Sequence, residues 1–147
     1  MKTLLFLYAL LQLLAGCAKD DKASTNAQAS NPGCPTLEGK FNGTDPQDGK
    51  AYSFYFGTRR DGSKTSYAIS QDPLNDNTYF QSADGIKFKG TDDQGAALTR
   101  SMSCGSNSLT ETNQINNDPA TTVTFTDIGN GQIRVESKGD TAVLTKG

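Results

Sequence analysis

Three cysteines carry most of the chemistry that this 147-residue sequence offers. Cys17 follows two small residues at the end of an apolar run, whereas Cys34 and Cys104 stand alone, without the CxxC spacing of redox and zinc sites. The chain has no histidine, so the commonest general base and the usual partner of a catalytic nucleophile are missing. We therefore expect no enzymatic activity, no catalytic residues and no cofactor.

Residues 1–16 have the pattern of a signal peptide. Lys2 gives a positive start, and the apolar run of about a dozen residues that follows is too short to span a bilayer, which needs about 20. Leu14-Ala15-Gly16-Cys17 resembles the lipobox of bacterial lipoproteins. The resemblance implies cleavage before Cys17 and acyl chains on its sulfur and new amino group, and two or more such chains hold a protein firmly to a membrane.

The residues after Cys17 indicate where the protein is held. The residue after Cys17 is Ala18 and not an aspartate, and this resembles the pattern of lipoproteins that are sorted to the outer membrane. Residues 17–33 are small and polar and have no apolar cluster, so we expect a disordered, lipidated tether. The sequence thus predicts a protein of the cell envelope, anchored in the outer membrane on its periplasmic face or at the cell surface. Export also places Cys34 and Cys104 where a disulfide between them is the default.

The charged residues give little indication of a catalytic, metal or nucleic-acid site. Most acidic residues lie in predicted turns, where Asp stabilises the backbone. The clusters at residues 72–77 and 92–93 lack the alternating ligands and distal Glu of a calcium loop, so we expect no metal. Removal of Lys2 with the signal leaves 13 basic and 16 acidic residues, a net charge of −3, and no basic patch, so nucleic acid is not an expected partner.

From Cys34 onward, short alternating runs are separated by Gly, Asn and Asp, which predicts an all-β domain over residues 34–147. We expect about eight antiparallel strands in an up-and-down meander, closed into a small barrel because closure removes exposed edges. A two-sheet sandwich is the alternative. The turns are marked by Asp48-Gly49, Asp61-Gly62, Asp84-Gly85, Asn130-Gly131 and Gly139-Asp140.

Three of these turns fix which side chains share a face. A two-residue turn at Asp61-Gly62 pairs Phe56 with Tyr67 and Phe54 with Ile69. At Asn130-Gly131 only a connection of three or five residues keeps the apolar residues of both strands on one face. We expect longer loops at residues 71–77 and 105–120, with residues 109–112 as an alternative short strand. A hairpin at Asp84-Gly85 places Tyr79, Ala83, Ile86 and Phe88 together, with Lys87 and Lys89 outward.

Gly39-Lys40-Phe41 in the first predicted strand resembles the G-x-W opening of lipocalins, with Phe in place of Trp. Lys146 ends the last strand, where that family often has a basic residue that packs on the aromatic ring. The resemblance implies a lipocalin-like barrel that binds a small apolar or amphiphilic molecule.

Alternation places Arg100 on the same face as Leu98 and Met102. If that face is the interior, Arg100 is a buried cation to which a ligand carboxylate could bind; otherwise a bulge or the barrel mouth brings it to water. The candidate ligand-binding residues are Arg100, Tyr52, Phe54, Phe56 and Tyr67.

A second class of function remains open, a protein-interaction module of the envelope that acts through its loops. Residues 82–88 resemble the S-G-x-K-Y loop of membrane-bound lysozyme inhibitors, with Asp84 in place of serine and Phe88 in place of tyrosine. A large apolar cavity would favour the ligand carrier, and a filled interior would favour the interaction module. An envelope enzyme is the third and least favoured class.

Overall fold

The structure is a computed structural model that describes residues 33–45, 48–92 and 94–147. The predicted signal peptide, Cys17 and the predicted tether up to Pro32 lie outside these residues. All regular structure in the described part is β-strand, and no helix there is long and apolar enough to span a bilayer. The ten strands are β1 (Gly39–Thr44), β2 (Ala51–Asp61), β3 (Lys64–Ser70), β4 (Gln81–Ser82), β5 (Phe88–Thr91), β6 (Ala97–Gly105), β7 (Ser108–Ile115), β8 (Thr121–Gly129), β9 (Gln132–Ser137) and β10 (Asp140–Lys146).

The strands form one antiparallel sheet in which β1 pairs with β10 and almost every strand pairs with the next along the chain. The exception is β4 and β5, which pair with β3 and β6 and not with each other. Side chains bridge this gap: the Gln81 Nε2 donates to the Arg100 carbonyl (3.3 Å), and the Tyr79 and Phe88 ring centroids lie 6.0 Å apart. The predicted all-β meander is confirmed, with ten strands where about eight were predicted.

The β2–β3 hairpin confirms the predicted face but not the predicted pairing. Asp61 pairs with Lys64, so the turn residues are Gly62 and Ser63, and Phe56 lies opposite Ile69. The register differs from the prediction by two residues. Because side chains alternate with a period of two, an even shift leaves every residue on its predicted face.

The β8–β9 hairpin contains one residue more than two regular strands joined by a two-residue turn would need. Asn130 and Gly131 both have positive φ and form a two-residue turn, which suits type I′ geometry. A bulge between Asp127 and Gly129 takes up the extra residue, and Phe125 lies opposite Val135. The shared face was predicted correctly, but the irregularity lies in the strand and not in the loop.

The hairpin predicted at Asp84-Gly85 is wrong. Asp84 forms a bridge with Ser103, and the Gly85 N–H donates to the Met102 carbonyl (2.7 Å). The residues between β4 and β5 therefore bond to β6, and β4 and β5 do not pair with each other. Tyr79 and Ile86 are consequently exposed, although Ala83 packs against the core and Lys87 and Lys89 point to solvent as expected.

The long loop predicted at residues 105–120 is also wrong, because β7 occupies most of it. Leu109 is fully buried on its inner face. On its outer face Thr110 and Thr112 lie within hydrogen-bonding distance of the hydroxyls of Thr124 and Thr122 on β8 (3.3 and 3.2 Å). β-Branched threonines pack well in cross-strand pairs, so this polar composition is compatible with a strand.

The segment Cys34–Glu38 closes one end of the barrel, and we call that end the plug end. The Leu37 N–H donates to the Thr58 hydroxyl (2.9 Å), which donates to the Leu37 carbonyl (2.8 Å). Across the interior, the Tyr67 hydroxyl donates to the Pro35 carbonyl (2.6 Å). Burial raises the pKa of Tyr67 to about 12, although the positive charge of Arg60 acts in the opposite direction.

A disulfide fixes the start of the plug segment. Cys34 is bonded to Cys104 at the end of β6, with Cα atoms 5.1 Å apart, as the sequence predicted. Arg60 Nη2 also donates to the Cys34 carbonyl (2.9 Å). The link closes a long loop and stabilises the domain by roughly 4 kcal/mol in the chain-entropy model.

The predicted loop after β3 extends from residue 71 to residue 80 and covers the outer face of β2. Gly57 makes this close approach possible, since a Cβ there would lie 2.7 Å from Leu74 Cδ1 and 2.9 Å from Phe80 Cζ. The guanidinium of Arg59 stacks on the Phe80 ring, 3.8 Å from its centroid.

We expect Gly57→Ala to lower the free energy of unfolding by about 2 kcal/mol, because the new methyl group overpacks the contact with the loop. Urea denaturation measures the change. Gly105→Ala is the matched control, since the nearest atom to its Cβ would be the Ser108 Oγ at 3.9 Å. Equal stability of the two variants would contradict this account of the loop.

Candidate functional site

The four aromatic residues predicted to contact a ligand all belong to the interior packing. Phe54, Phe56 and Tyr67 are almost fully buried in the main apolar cluster, and Tyr52 is half-buried against it. Tyr52 lies over Gly43, where a Cβ would be 2.5 Å from the Tyr52 Cζ. Its ring packs edge-on to Phe54, with centroids 5.7 Å apart.

Aromatic rings touch across the barrel. The Phe56 ring packs edge-to-face on Phe41 and on Phe125, with 5.4 Å between centroids in both pairs. β2 and β8 are separated in the sheet by β1, β10 and β9, so the contact between Phe56 and Phe125 crosses the interior. Both side chains are 2% exposed. Side chains that lined a ligand-sized void would keep accessible surface within it, so the interior is filled at this level.

Arg100 faces inward but already has an anionic partner. Its Nε forms an ion pair with Oε1 of Glu111 on the neighbouring strand β7. The side chains of Arg100 and Glu111 are 12% and 1% exposed. The chain itself therefore supplies the carboxylate that a bound ligand was expected to provide.

The surroundings of Glu111 are poor in hydrogen bonds. Burial raises the pKa of the Glu111 carboxyl, while the Arg100 charge and the Asn113 amide act in the opposite direction. Within the described part of the chain, Glu111 Oε2, Gln81 Oε1 and Asn113 Oδ1 are buried without a hydrogen-bond partner. Buried acceptors without partners are costly, so this polar cluster is the least satisfied part of the core.

Glu111 and Asn113 were missed because their segment was interpreted as a loop. The available signal was the alternation of β7: Leu109, Glu111 and Asn113 lie on one face of the strand, and the threonines between them lie on the other. An acidic residue on the same face of a strand as a buried leucine, next to a strand with an inward arginine, indicates a cross-strand ion pair.

The Asp and Asn side chains in the loops mainly hold turns. Oδ1 atoms of Asp48, Asn75, Asp84 and Asp92 each accept a hydrogen bond from the backbone N–H two residues further on. These are the local bonds for which Asp and Asn are favoured in turns. In residues 33–45, 48–92 and 94–147, no three His, Cys, Asp or Glu side chains are grouped as a metal site would need.

The residues that resemble the lipocalin opening occupy the predicted strand. Phe41 is buried and pairs in register with Lys146. Gly39 has a positive φ of 99°, and a Cβ there would lie 3.2 Å from the Lys146 side-chain Cε. Comparison of the chain with protein-family models, curated proteins and solved structures finds no match.

A double-mutant cycle tests the buried pair. We expect Arg100→Met and Glu111→Leu each to lower the free energy of unfolding by about 3 kcal/mol, because each leaves a buried charge unpaired. The double variant should lose less than either single variant. The exposed pair Arg134–Glu136, at 3.4 Å, is the control, and its single variants should cost less than about 1 kcal/mol. Additive losses at Arg100 and Glu111 would contradict the pairing.

The raised pKa of Glu111 also predicts a pH dependence. A carboxyl whose pKa is higher in the folded state contributes stability at pH values below its unfolded pKa, about 4.3, and this contribution disappears as pH rises through the folded value. The wild type should therefore lose stability relative to Glu111→Gln over that window. Denaturant titrations of both proteins from acid to neutral pH measure the difference. A wild-type stability that, relative to Glu111→Gln, stays constant or increases as pH rises would refute the assignment.

Proposed function

We propose that the protein is a lipid-anchored, non-catalytic interaction module of the bacterial cell envelope, which binds another envelope protein through its loops. The observation that carries the proposal is the contact of Phe56 with Phe125 across the interior. A ligand carrier of this size needs a lumen between opposite strands. Here the side chains that would contact the ligand contact each other.

The plug segment supports the same proposal. It covers one end of the barrel and is held by hydrogen bonds to Thr58 and Tyr67 and by the disulfide to Cys104. A ligand could not enter there without breaking these bonds. The barrel therefore acts as a solid scaffold that displays its surface.

The anchor is proposed from Leu14-Ala15-Gly16-Cys17, with acyl chains on Cys17. The Cys34–Cys104 bond fits the oxidising compartment that export would provide. Binding to a partner while held on a membrane needs no catalytic group, and the chain has no histidine.

The loops at the end opposite the plug are the proposed contact surface. The β1–β2, β7–β8 and β9–β10 connections lie there, because neighbouring antiparallel strands place alternate turns at opposite ends. Asp118 lies in the β7–β8 connection, β10 begins at Asp140, and β3 continues into Asp72 at the same end. The positive groups there are Lys50, which is paired with Asp48 (2.9 Å), and Lys138 in the β9–β10 turn, so the acidic groups predominate. This distribution of charge is complementary to a partner with a positive surface.

Native mass spectrometry of the full-length gene product, purified from its own envelope in mild detergent, tests the proposal. We expect a chain that begins at an acylated Cys17 and carries a co-purified protein, but no stoichiometric small molecule. The Cys17→Ser variant should be recovered without acyl chains and outside the membrane fraction. The variant Asp118→Lys/Asp140→Lys should reduce recovery of the partner while the anchor is retained.

Two results would contradict the proposal separately. A mature chain with any other first residue and no acyl mass would refute the anchor. A stoichiometric small molecule, lost on denaturation, would refute the filled interior and favour a ligand carrier.

A further inference from the structure

The chain enters the domain at the plug end. The Asn107 N–H, in the β6–β7 turn, donates to the Gly33 carbonyl (3.2 Å), and the Cys34–Cys104 bond fixes the next residue to the same end of β6. Cys17 precedes Cys34 by 17 residues, and even a fully extended chain of that length spans at most about 60 Å. If Cys17 is acylated, this end is the one tethered to the bilayer, at a distance of at most about 60 Å.

Two of the exposed large apolar residues also lie at the plug end. Ile86 is 46% exposed and follows Gly85, which is bonded to Met102 near the end of β6. Ile128 is 42% exposed and belongs to the bulge beside the β8–β9 turn. Both residues lie near the same end of the barrel, and both side chains are accessible from outside.

The charges of the two ends differ. Lys64, Lys87 and Lys146 are exposed around the plug end and form no salt bridge with any described residue. Of the acidic groups there, Asp84 and Asp127 each accept a hydrogen bond from a backbone N–H two residues further on. Glu38 and Asp61 are also exposed at this end, near the cations Lys40 and Arg60, so the basic groups still outnumber the acidic ones. The opposite end carries the aspartates of the proposed contact surface. An anionic surface would therefore attract the plug end and repel the other.

We propose that the plug end docks on the anionic bilayer in which the protein is anchored, with Ile86 and Ile128 inserted between the headgroups and the lysines against their phosphates. Exposed apolar side chains flanked by lysines suit the membrane interface. The inference rests on the proposed acyl anchor, which keeps the bilayer within reach so that weak docking suffices. Docking turns the acidic loops away from the membrane, towards a protein partner.

The absence of tryptophan from the chain permits a direct test. Single tryptophans are introduced as Ile86→Trp and Ile128→Trp in the full-length lipidated protein, with Val143→Trp as the control. Val143 is 47% exposed in the middle of β10, so all three positions tolerate a large side chain and Val143 lies on the wall of the barrel between its ends. Each protein is reconstituted into phosphatidylglycerol–phosphatidylethanolamine vesicles whose acyl chains are brominated, and flotation first shows that it is membrane-bound.

We expect bromine to quench most of the emission of the tryptophans at positions 86 and 128 and to leave that at position 143 nearly unchanged. Lys64→Glu/Lys87→Glu, added to Ile86→Trp, should abolish most of the quenching without preventing flotation. Flotation without quenching at positions 86 and 128, or with equal quenching at 143, overturns the docking and leaves the anchor standing. Failure of the wild type to float overturns the anchor and the docking together.

Discussion

The packing of Phe56 between Phe41 and Phe125 is the contact on which the rest of the structure depends. It joins β1 and β2 to β8 across the interior, and it forms only if three strands keep their register. A slip of one residue in β2 would turn Phe54 and Phe56 towards solvent and expose the core. Edge-to-face aromatic pairs add to the large apolar area that each ring buries. Packing of the interior and curling of the sheet are therefore one event.

The ion pair of Arg100 and Glu111 lies within the same barrel but contributes differently. Two charges were removed from water, and several neighbouring acceptors have no partner in the described residues. Apolar residues of similar volume could match such a pair in stability. The pair favours one register between β6 and β7, because a slip would separate the two charges.

Much of the fold follows from the sequence, because alternation and turn residues are local signals. The inward positions of Phe54, Phe56, Tyr67 and Ile69 were predictable, and an error of two residues in the register did not alter them. The sequence also predicts one extra residue near Asn130-Gly131, but not that this residue lies in a bulge of β8. The failed hairpin at Asp84-Gly85 depended on competition from β6, which lies further along the chain. Glu111 was missed because a strand rich in threonine and asparagine looks like a loop until its neighbours are known.

The plug and the filled barrel fit the proposed anchor and the proposed role: we propose that a rigid body is held close to a membrane and displays loops for binding. The central claim is that the chain's own side chains fill the space between Phe56 and Phe125. Xenon binds to empty apolar cavities in proteins, so a crystal of the domain kept under xenon pressure tests this most directly. The account predicts no xenon atom inside the barrel. A xenon atom bound between Phe41, Phe56 and Phe125 would contradict it.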